Sequence, residues 1–252
     1  MVTLGDVESF LNETLHPESF RDYAPNGVQV QGREEINRVV TGVSACVELF
    51  QKAVDLGAEL VLVHHGLFWD KEPRVVEGSL KQRLKILLQQ DMTLMAYHLP
   101  LDAHPEWGNN ACILRKLALE PLEPFGLYNG TALSWVGRCS PPRTVAEMFH
   151  GVTDLFGGSP LLLNFGPERI ERVAVCSGAA PELVRQARAA GADLFLTGEA
   201  TESVYHYCQE EGLHFIAAGH HRTETFGVQA LGKLLTRRFG LDHHFVDLAN
   251  PL

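Results

Sequence analysis

Two adjacent histidines after an apolar run are the first residues whose types and spacing could do chemistry. His64 and His65 directly follow the run Leu60 to Val63 and are themselves followed by Gly66. A short apolar run of this kind is typical of a buried strand, and open α/β sheets bind ligands at the carboxyl ends of their strands. The pair therefore predicts a ligand site at a strand end, although a single histidine is more often an ordinary core or surface residue.

Histidines and carboxylates also follow two other predicted strands. The arrangement of a histidine, three residues and a carboxylate occurs twice, once after residues 92–97 and once after residues 213–218. The predicted metal ligands are His64, His65, Asp102, His220 and Glu224. Three imidazoles and two carboxylates without a thiolate suit Zn, Mn, Fe, Co or Ni and are too many for one structural zinc ion. The set predicts two divalent ions, and we expect Glu224 to bridge them because a carboxylate has an oxygen for each ion.

More ionisable groups lie near these residues in sequence than metal binding requires. His98, His104 and His221 could orient the ligands through hydrogen bonds or could carry protons. Glu199 could be a general base or an ordinary carboxylate at a strand end. The catalytic candidates are therefore Glu199, His98 and His104, in a hydrolase whose hydroxide bridges two ions. Trp69 could line a pocket and stack on a flat ring, although packing in the core or between subunits is the more common role.

A repeated strand, helix and strand unit is predicted to position these groups. RVVTGVSACVELFQKAVDLGAELVLVHH, from Arg38, and RVAVCSGAAPELVRQARAAGADLFLTGE, from Arg172, share residues at a constant spacing of 134. The spacing indicates internal duplication; the alternative is chance similarity, because glycine at helix ends and leucine in strands are common. Each unit predicts parallel strands joined by a right-handed crossover. We expect one α/β unit over 1–252 with mainly parallel sheets flanked by helices, in two related halves, roughly 1–125 and 126–252.

Further elements are predicted from capping residues and periodicity. Helices are expected over 3–15, 81–90, 144–156, 203–211 and 225–239, and strands over 28–30, 133–138, 161–164 and around 244–248. His243 and His244 are interpreted as surface or edge residues. Cys176-Ser177-Gly178 is a predicted turn whose amides could bind a phosphate, although a tight turn that requires small residues is the favoured interpretation.

Composition and charge restrict the class of protein. The chain has 252 residues, 45% of them hydrophobic, and a formal net charge of −10. This charge disfavours binding to duplex DNA, which requires clustered lysine and arginine. Five scattered cysteines without a C-x-x-C pair argue against a disulfide framework and a thiolate zinc site. Since there is no signal peptide and no apolar run of the ~20 residues that span a membrane, we expect a cytoplasmic protein with no membrane partner.

Five segments together carry a family resemblance. They are NGVQV from Asn26, LVHHGLFW from Leu62, HLPLDAH from His98, TGE from Thr197 and AGHHRTE from Ala218. In content and order they resemble the NIF-three-like, YbgI-type family, also called dinuclear metal centre hexameric proteins or GTP cyclohydrolase I type 2 homologues. The chain is of the short type, without the long central insertion of some relatives. At His221 it departs from close relatives, which leaves open whether that imidazole competes for a metal.

The resemblance implies a fold, an assembly and a function. It implies a toroidal homohexamer of α/β subunits with two metal ions per subunit facing the central cavity, held by the same five residues. It also implies a dinuclear-metal-dependent hydrolase acting on a nucleotide-like substrate, either GTP cyclohydrolase-like or a phosphohydrolase. The alternative is a non-catalytic metal-binding, metal-delivery or regulatory scaffold protein.

Overall fold

A computed structural model describes all 252 residues of the protein, which form two compact units. The first unit comprises residues 1–101 and 227–249, and the second comprises residues 102–226 and 250–252. The helices and strands of the first unit are β1 (Val2–Thr3), α1 (Leu4–Leu15), β2 (Gly27–Val30), β3 (Glu35–Ile36), β4 (Arg38–Ser44), α2 (Val47–Asp55), β5 (Leu60–His65), α3 (Gly78–Gln89), β6 (Thr93–Ala96) and, near the C-terminus, β13 (Asp242–Phe245). Two helices cross the boundary between the units along the chain: α4 (Leu99–Ala103) and α10 (Thr225–Phe239).

The main sheet of the first unit is mostly parallel. Its five strands lie in the order β13-β4-β5-β6-β2, and only the pair of β2 with β6 is antiparallel. β1 and β3 form a separate antiparallel pair. Because β5 and β6 are parallel neighbours, the residues that follow them emerge at the same edge of the sheet. The predicted strand, helix and strand order is confirmed here.

The second unit contains a mixed sheet. Its elements are α5 (Asn109–Lys116), β7 (Glu120–Tyr128), β8 (Thr131–Thr144), α6 (Val145–Phe156), β9 (Leu161–Leu163), β10 (Arg169–Cys176), α7 (Val184–Ala189), β11 (Leu194–Thr197), α8 (Glu202–Glu211), β12 (His214–Ala217) and α9 (His220–Thr223). The strand order is β7-β8-β10-β11-β12-β9, with parallel pairing only among β10, β11 and β12. The expectation of mainly parallel sheets is wrong for this unit. β7 and β8 form a long hairpin, whose turn at Asn129 and Gly130 has positive φ angles of 48° and 87°.

The units do not coincide with the expected halves 1–125 and 126–252. Residues 227–249 belong to the first unit because β13 pairs in parallel with β4, so the chain returns to the main sheet of that unit. The sequence pattern located β13 approximately but could not show which sheet it joins, since pairing between distant strands leaves no local signal.

Hydrogen-bond register reveals the repeat directly. Val39 pairs with Leu60 in the first unit, and Val173 pairs with Leu194 in the second, so both partners are displaced by the same 134 residues. A carboxylate recurs in the same way: Glu59 accepts from the amides of residues 37 and 38, and Asp193 accepts from those of residues 171 and 172. Equivalent pairing and equivalent side-chain bonds support duplication over chance similarity.

Helix boundaries follow their capping residues. Thr3 accepts from the amide of Asp6 and Thr144 from that of Glu147, and each acid bonds back to the capping residue's amide. These capping boxes start α1 and α6 where the sequence predicted. Gly157, with a φ of 67°, ends α6.

Apolar side chains fill both units. In the second unit, alternate residues of β10 pack on opposite faces of the sheet: Val173 and Val175 on one face, Ala174 and Cys176 on the other. The first unit has its own core around Val40, Val61 and other residues of the parallel strands. The longest helix, α10, has 15 residues, and no helix combines the length and apolar character needed to cross a membrane.

Candidate metal centre

Three imidazoles gather at the carboxyl edge of the first sheet. His64 and His65 end β5, and His98 follows β6. Their ligand nitrogens lie within 4.8 Å of one another, and the ring centroids of His64 are 4.7 Å from His65 and 5.0 Å from His98. His98 is therefore close enough to His64 and His65 to share a metal ion with them. The sequence suggested only an orienting or proton-carrying role for it.

Hydrogen bonds orient the rings of the histidine pair. Nδ1 of His64 donates to the carbonyl oxygen of Tyr97 at 2.9 Å, so Nε2 is the nitrogen that carries the lone pair of the neutral ring. Nδ1 of His65 shares a hydrogen bond of 3.0 Å with the hydroxyl of Ser44 on the neighbouring strand. Such bonds to the second nitrogen are typical of metal-binding histidines.

A buried carboxylate holds His98. Nδ1 of His98 donates to Asp22 at 2.9 Å, both side chains are buried, and the amide of His98 donates to Asn26 at 2.7 Å. Burial alone would raise the pKa of Asp22, but the hydrogen bond and charge of His98, with further bonds from Asn26 and the amide of Leu99, hold it below its usual value. No sequence pattern marks Asp22 or Asn26 as a partner of His98. Their distance along the chain from His98 concealed this role.

Two aromatic rings lie next to this imidazole group. Trp69 lies 5.8 Å from His65 and 5.3 Å from His98 between ring centroids, and is nearly perpendicular to His98. Tyr23 lies 5.7 Å from Trp69 and 5.0 Å from His98. Trp69 is half-buried and lines a cavity, so the structure favours the pocket role over core packing.

Gln29 explains the glycine that follows the histidine pair. Its side chain accepts from the amide of Leu67 at 2.7 Å and donates to the carbonyl of Pro25 at 2.8 Å. A Cβ on Gly66 would collide with this side chain. The NGVQV segment thus holds the chain on both sides of the imidazoles, through Asn26 and Gln29.

A second group of candidate ligands lies within the second unit. His220 and Glu224 are one helical turn apart, with 3.2 Å between Nε2 and Oε1, and Nδ1 of His220 donates to Glu199 at 2.6 Å. Burial alone would lower the pKa of His220, but the hydrogen bonds and charges of Glu224 and Glu199 raise it to about 9. Glu199 thus holds the nitrogen opposite the one that faces Glu224.

Asp102 belongs to the same group. Carboxylate oxygens of Asp102 and Glu224 lie within 4.8 Å of each other, and both residues are buried. Oδ1 of Asp102 accepts from Nδ2 of Asn109 at 2.9 Å and from the hydroxyl of Ser177 at 2.9 Å. Asn110 donates to the backbone carbonyl of Asp102 at 3.2 Å. No sequence pattern pointed to the two asparagines, since they belong to a short helix without a recognisable motif.

The turn after β10 contacts the carboxylates of Asp102 and Glu224. The amide of Ser177 donates to Asn110 at 2.7 Å and that of Gly178 donates to Thr223 at 2.9 Å, so both amides have protein partners. A Cβ on Gly178, which has a φ of 67°, would collide with Glu224. These contacts favour the tight-turn interpretation over a phosphate cradle.

The other histidines considered from the sequence have different hydrogen-bond partners. Nδ1 of His104 accepts from the amides of Glu106 and Trp107 at 3.1 and 2.9 Å and so shapes the turn before α5. His221 is buried, and its amide donates to the carbonyl of Leu252. His243 and His244 lie on the edge strand β13, as expected, where His243 bonds the hydroxyl of Thr41 at 2.8 Å.

The side chains present fit divalent metal ions. Each unit offers imidazole nitrogens or carboxylate oxygens soon after a parallel strand, and His64, Asp102 and His220 each have one polar atom fixed by a neighbouring group. Imidazole and carboxylate donors without thiolate suit first-row divalent ions. The fold and these side chains define an α/β protein with candidate metal ligands at the carboxyl ends of its parallel strands.

Comparison with known proteins identifies the family to which the chain belongs. It belongs to the Duf34/NIF3 (NGG1p interacting factor 3) family, whose model matches residues 2–251. A Pseudomonas aeruginosa protein named GTP cyclohydrolase 1 type 2 homolog is 47% identical over 250 residues, covering 99% of each chain. The solved structure of protein ybgI superposes with a TM-score of 0.94 at 41% identity, covering 99% of this chain and 100% of that one. That of TTHA1606 from Thermus thermophilus has a TM-score of 0.89 at 36% identity, covering 99% and 100%. The family resemblance drawn from the sequence is confirmed.

Proposed function

We propose that this protein is a dinuclear-metal-dependent hydrolase acting on a nucleotide-like substrate. The proposed ligands of its two divalent ions are His64, His65, Asp102, His220 and Glu224. The observation that carries the proposal is that neighbouring groups orient the candidate ligands. Hydrogen bonds fix one polar atom each of His64, Asp102 and His220. Arrangements of this kind are characteristic of metal sites, and ordinary surface histidines and carboxylates do not need them.

The bound ions would supply an activated water and stabilise negative charge that develops on the substrate. The protein's own residues divide the remaining work. Tyr97, Ser177, Asn109 and Glu199 orient the ligands through the bonds described above. His98, paired with Asp22, is the candidate for moving a proton, because Asp22 fixes its Nδ1 and its ring lies among the other imidazoles. His104 is a weaker catalytic candidate, since its Nδ1 is engaged by backbone amides.

The names of the relatives direct the choice of substrate. Several curated relatives are named GTP cyclohydrolase 1 type 2 homolog, which makes GTP the first compound to test. Hydrolysis of a ring carbon and hydrolysis of a phosphate ester both use an activated water, so the ligand set accommodates either reaction.

The experiment is a turnover screen with matched variants. Purified protein loaded with Zn, Mn, Fe, Co or Ni is incubated with GTP, other nucleotides and phosphodiesters, and products are followed by mass spectrometry. We expect metal-dependent turnover that Glu224→Gln abolishes, while the exposed Glu210→Gln retains it. Lack of turnover with every metal, or equal turnover in the two variants, would overturn the proposal. Metal-dependent binding of another protein without turnover would instead support the scaffold alternative.

We also propose that the protein assembles as a toroidal homohexamer with its metal ions facing the central cavity. The support is its family membership and its close structural similarity to protein ybgI. Light scattering coupled to size-exclusion chromatography should give six times the mass of the chain. A monomer or dimer at micromolar concentration would contradict this assembly.

A further inference from the structure

A cavity of about 610 Å³ lies in the first unit beside the imidazole group. It is lined by the turn at Asp22 to Pro25, by the loop at residues 67–76 and by Leu80 of α3. We call it the Trp69 pocket. Asp22 and Trp69 belong both to its lining and to the surroundings of His98, which connects the pocket to the candidate metal ligands. Its size falls in the range of small-molecule sites, about 300 to 1,000 Å³.

The pocket is more apolar than an ordinary surface depression. Phe68, Val75 and Val76 line it while 37%, 56% and 59% exposed, respectively. Solvent exposure of several large apolar side chains around one concavity is characteristic of a binding site. Trp69 contributes a flat ring, which is suited to stacking on a flat ligand.

The charged groups of the pocket restrict which chemical class of ligand it can bind. Three carboxylates, Asp22, Asp70 and Glu72, line it against one guanidinium, that of Arg74. This excess of negative charge disfavours a phosphate inside the pocket, whereas carboxylate oxygens accept hydrogen bonds from ring N–H and amino groups. A ligand with a flat, nitrogen-bearing ring and a separate anionic part would place only the ring here.

Hydrogen bonds hold the loop that forms the pocket wall. The amide of Asp70 donates to the carbonyl of Tyr23 at 3.0 Å, and the amide of Glu72 donates to the carbonyl of Trp69 at 3.1 Å. The first bond ties the loop to the turn that also carries Asp22, and the second closes a turn within the loop. A long loop without helix or strand that is anchored in this way is typical of a functional loop.

We infer that the Trp69 pocket binds a flat nitrogen heterocycle with N–H donors, such as a nucleobase, against Trp69 and beside the imidazoles of His65 and His98. Its role as the ring subsite of a substrate rests on the proposed function. The binding itself does not, because a nucleoside without phosphate requires no reaction.

The test is binding of free guanosine and adenosine to metal-loaded full-length protein by isothermal titration calorimetry. Val76→Trp fills the pocket at an exposed position, and Leu88→Trp adds the same bulk on α3 at a position that is 65% exposed and outside the lining. We expect guanosine to bind more tightly than adenosine, since it has more N–H donors. Val76→Trp should weaken guanosine binding at least tenfold with unchanged metal content, while Leu88→Trp leaves both unchanged.

Other outcomes separate this inference from the proposed function. Guanosine binding that Val76→Trp weakens, in a protein without hydrolytic turnover, supports the pocket and contradicts the hydrolase. Turnover of a nucleotide that both variants retain equally, or no nucleoside binding at all, overturns the pocket assignment. A change of oligomeric mass in Val76→Trp but not in Leu88→Trp also overturns it, because the apolar wall would then be a contact between subunits.

Discussion

The carboxylate of Glu199 accepts a hydrogen bond of 2.6 Å from Nδ1 of His220. In the second copy of the repeat, Glu199 occupies the position that His65 has in the first. The equivalent positions therefore differ in role: His65 is a candidate ligand, and Glu199 is the hydrogen-bond partner of a candidate ligand. A bond of this type fixes the ring and increases the basicity of Nε2. The geometry therefore favours a positioning role for Glu199 over the general-base role considered from the sequence.

Replacing Glu199 should weaken metal binding. Glu199→Gln keeps the size of the side chain but removes its charge, and we expect metal affinity to fall about tenfold or more. Equilibrium dialysis with elemental analysis measures this change. Glu202→Gln is the control, because Glu202 is exposed and pairs only with His206 at 3.8 Å. Full metal affinity combined with lost turnover in Glu199→Gln would restore the general-base role.

Ser177 should matter through Asp102. Ser177→Ala removes one of two hydrogen bonds to Oδ1 of Asp102, which should release the carboxylate from its fixed orientation. We expect a loss of about 1 to 2 kcal/mol in the free energy of unfolding and roughly tenfold weaker binding of at least one ion. Urea unfolding and metal titration provide the two readouts. Ser203→Ala, at the exposed start of α8, should change neither, and identical behaviour of the two variants would refute the role.

A methyl group at Gly178 should disturb Glu224. Gly178→Ala combines the cost of a positive φ with a collision against the Glu224 carboxylate, whereas Gly157→Ala has the same φ of 67° and no neighbouring atom within 4 Å. Both variants should lose stability in thermal unfolding, but only Gly178→Ala should also lose metal. Metal content that is equal in the two purified variants would show that the close approach has no functional consequence.

The capping box of α6 predicts a pH dependence. Hydrogen bonds from the amide and hydroxyl of Thr144 hold the pKa of Glu147 below its usual value. A lowered pKa in the folded state means that this contribution to stability is present above the unfolded pKa and is lost as pH falls through the folded one. Thr144→Ala should cost about 1 kcal/mol at neutral pH and raise the pKa of Glu147 in an NMR titration. Thr153→Ala, whose hydroxyl bonds only the carbonyl of Phe149, should leave that pKa unchanged.

Much of the fold follows from local sequence signals. Capping residues located α1 and α6, and the spacing of 134 residues between Arg38 and Arg172 predicted two equivalent parallel pairs. The hairpin of β7 and β8 was only partly predicted, because β7 contains prolines and charged residues that obscure alternation. The assignment of β13 to the first sheet depends on contacts between distant residues, which no local pattern encodes.

The candidate site, like the fold, was predicted only in part from local sequence signals. Strand ends predicted the candidate ligands, because polar residues after an apolar run are visible in the sequence. Asp22 and Ser177 were missed as partners because they lie in turns 76 and 75 residues away from His98 and Asp102. Asn109 was missed because its short helix carries no recognisable motif. The shared arrangement of a histidine, three residues and a carboxylate after β6 and β12 is not an exact repeat. Thr93 pairs with Leu60 as His214 pairs with Leu194, so Thr93 and His214 are equivalent positions. By this equivalence, His98 corresponds to Gly219 and not to His220.

The five proposed ligands, His64, His65, Asp102, His220 and Glu224, are expected to hold two divalent ions. The most direct test is anomalous X-ray diffraction from crystals of the natively purified protein, measured above and below the absorption edges of Zn, Mn, Fe, Co and Ni. We expect two anomalous peaks per chain about 3.5 to 4 Å apart, each contacted by some of these five residues. No peak at these residues, or a single peak, would overturn the dinuclear centre.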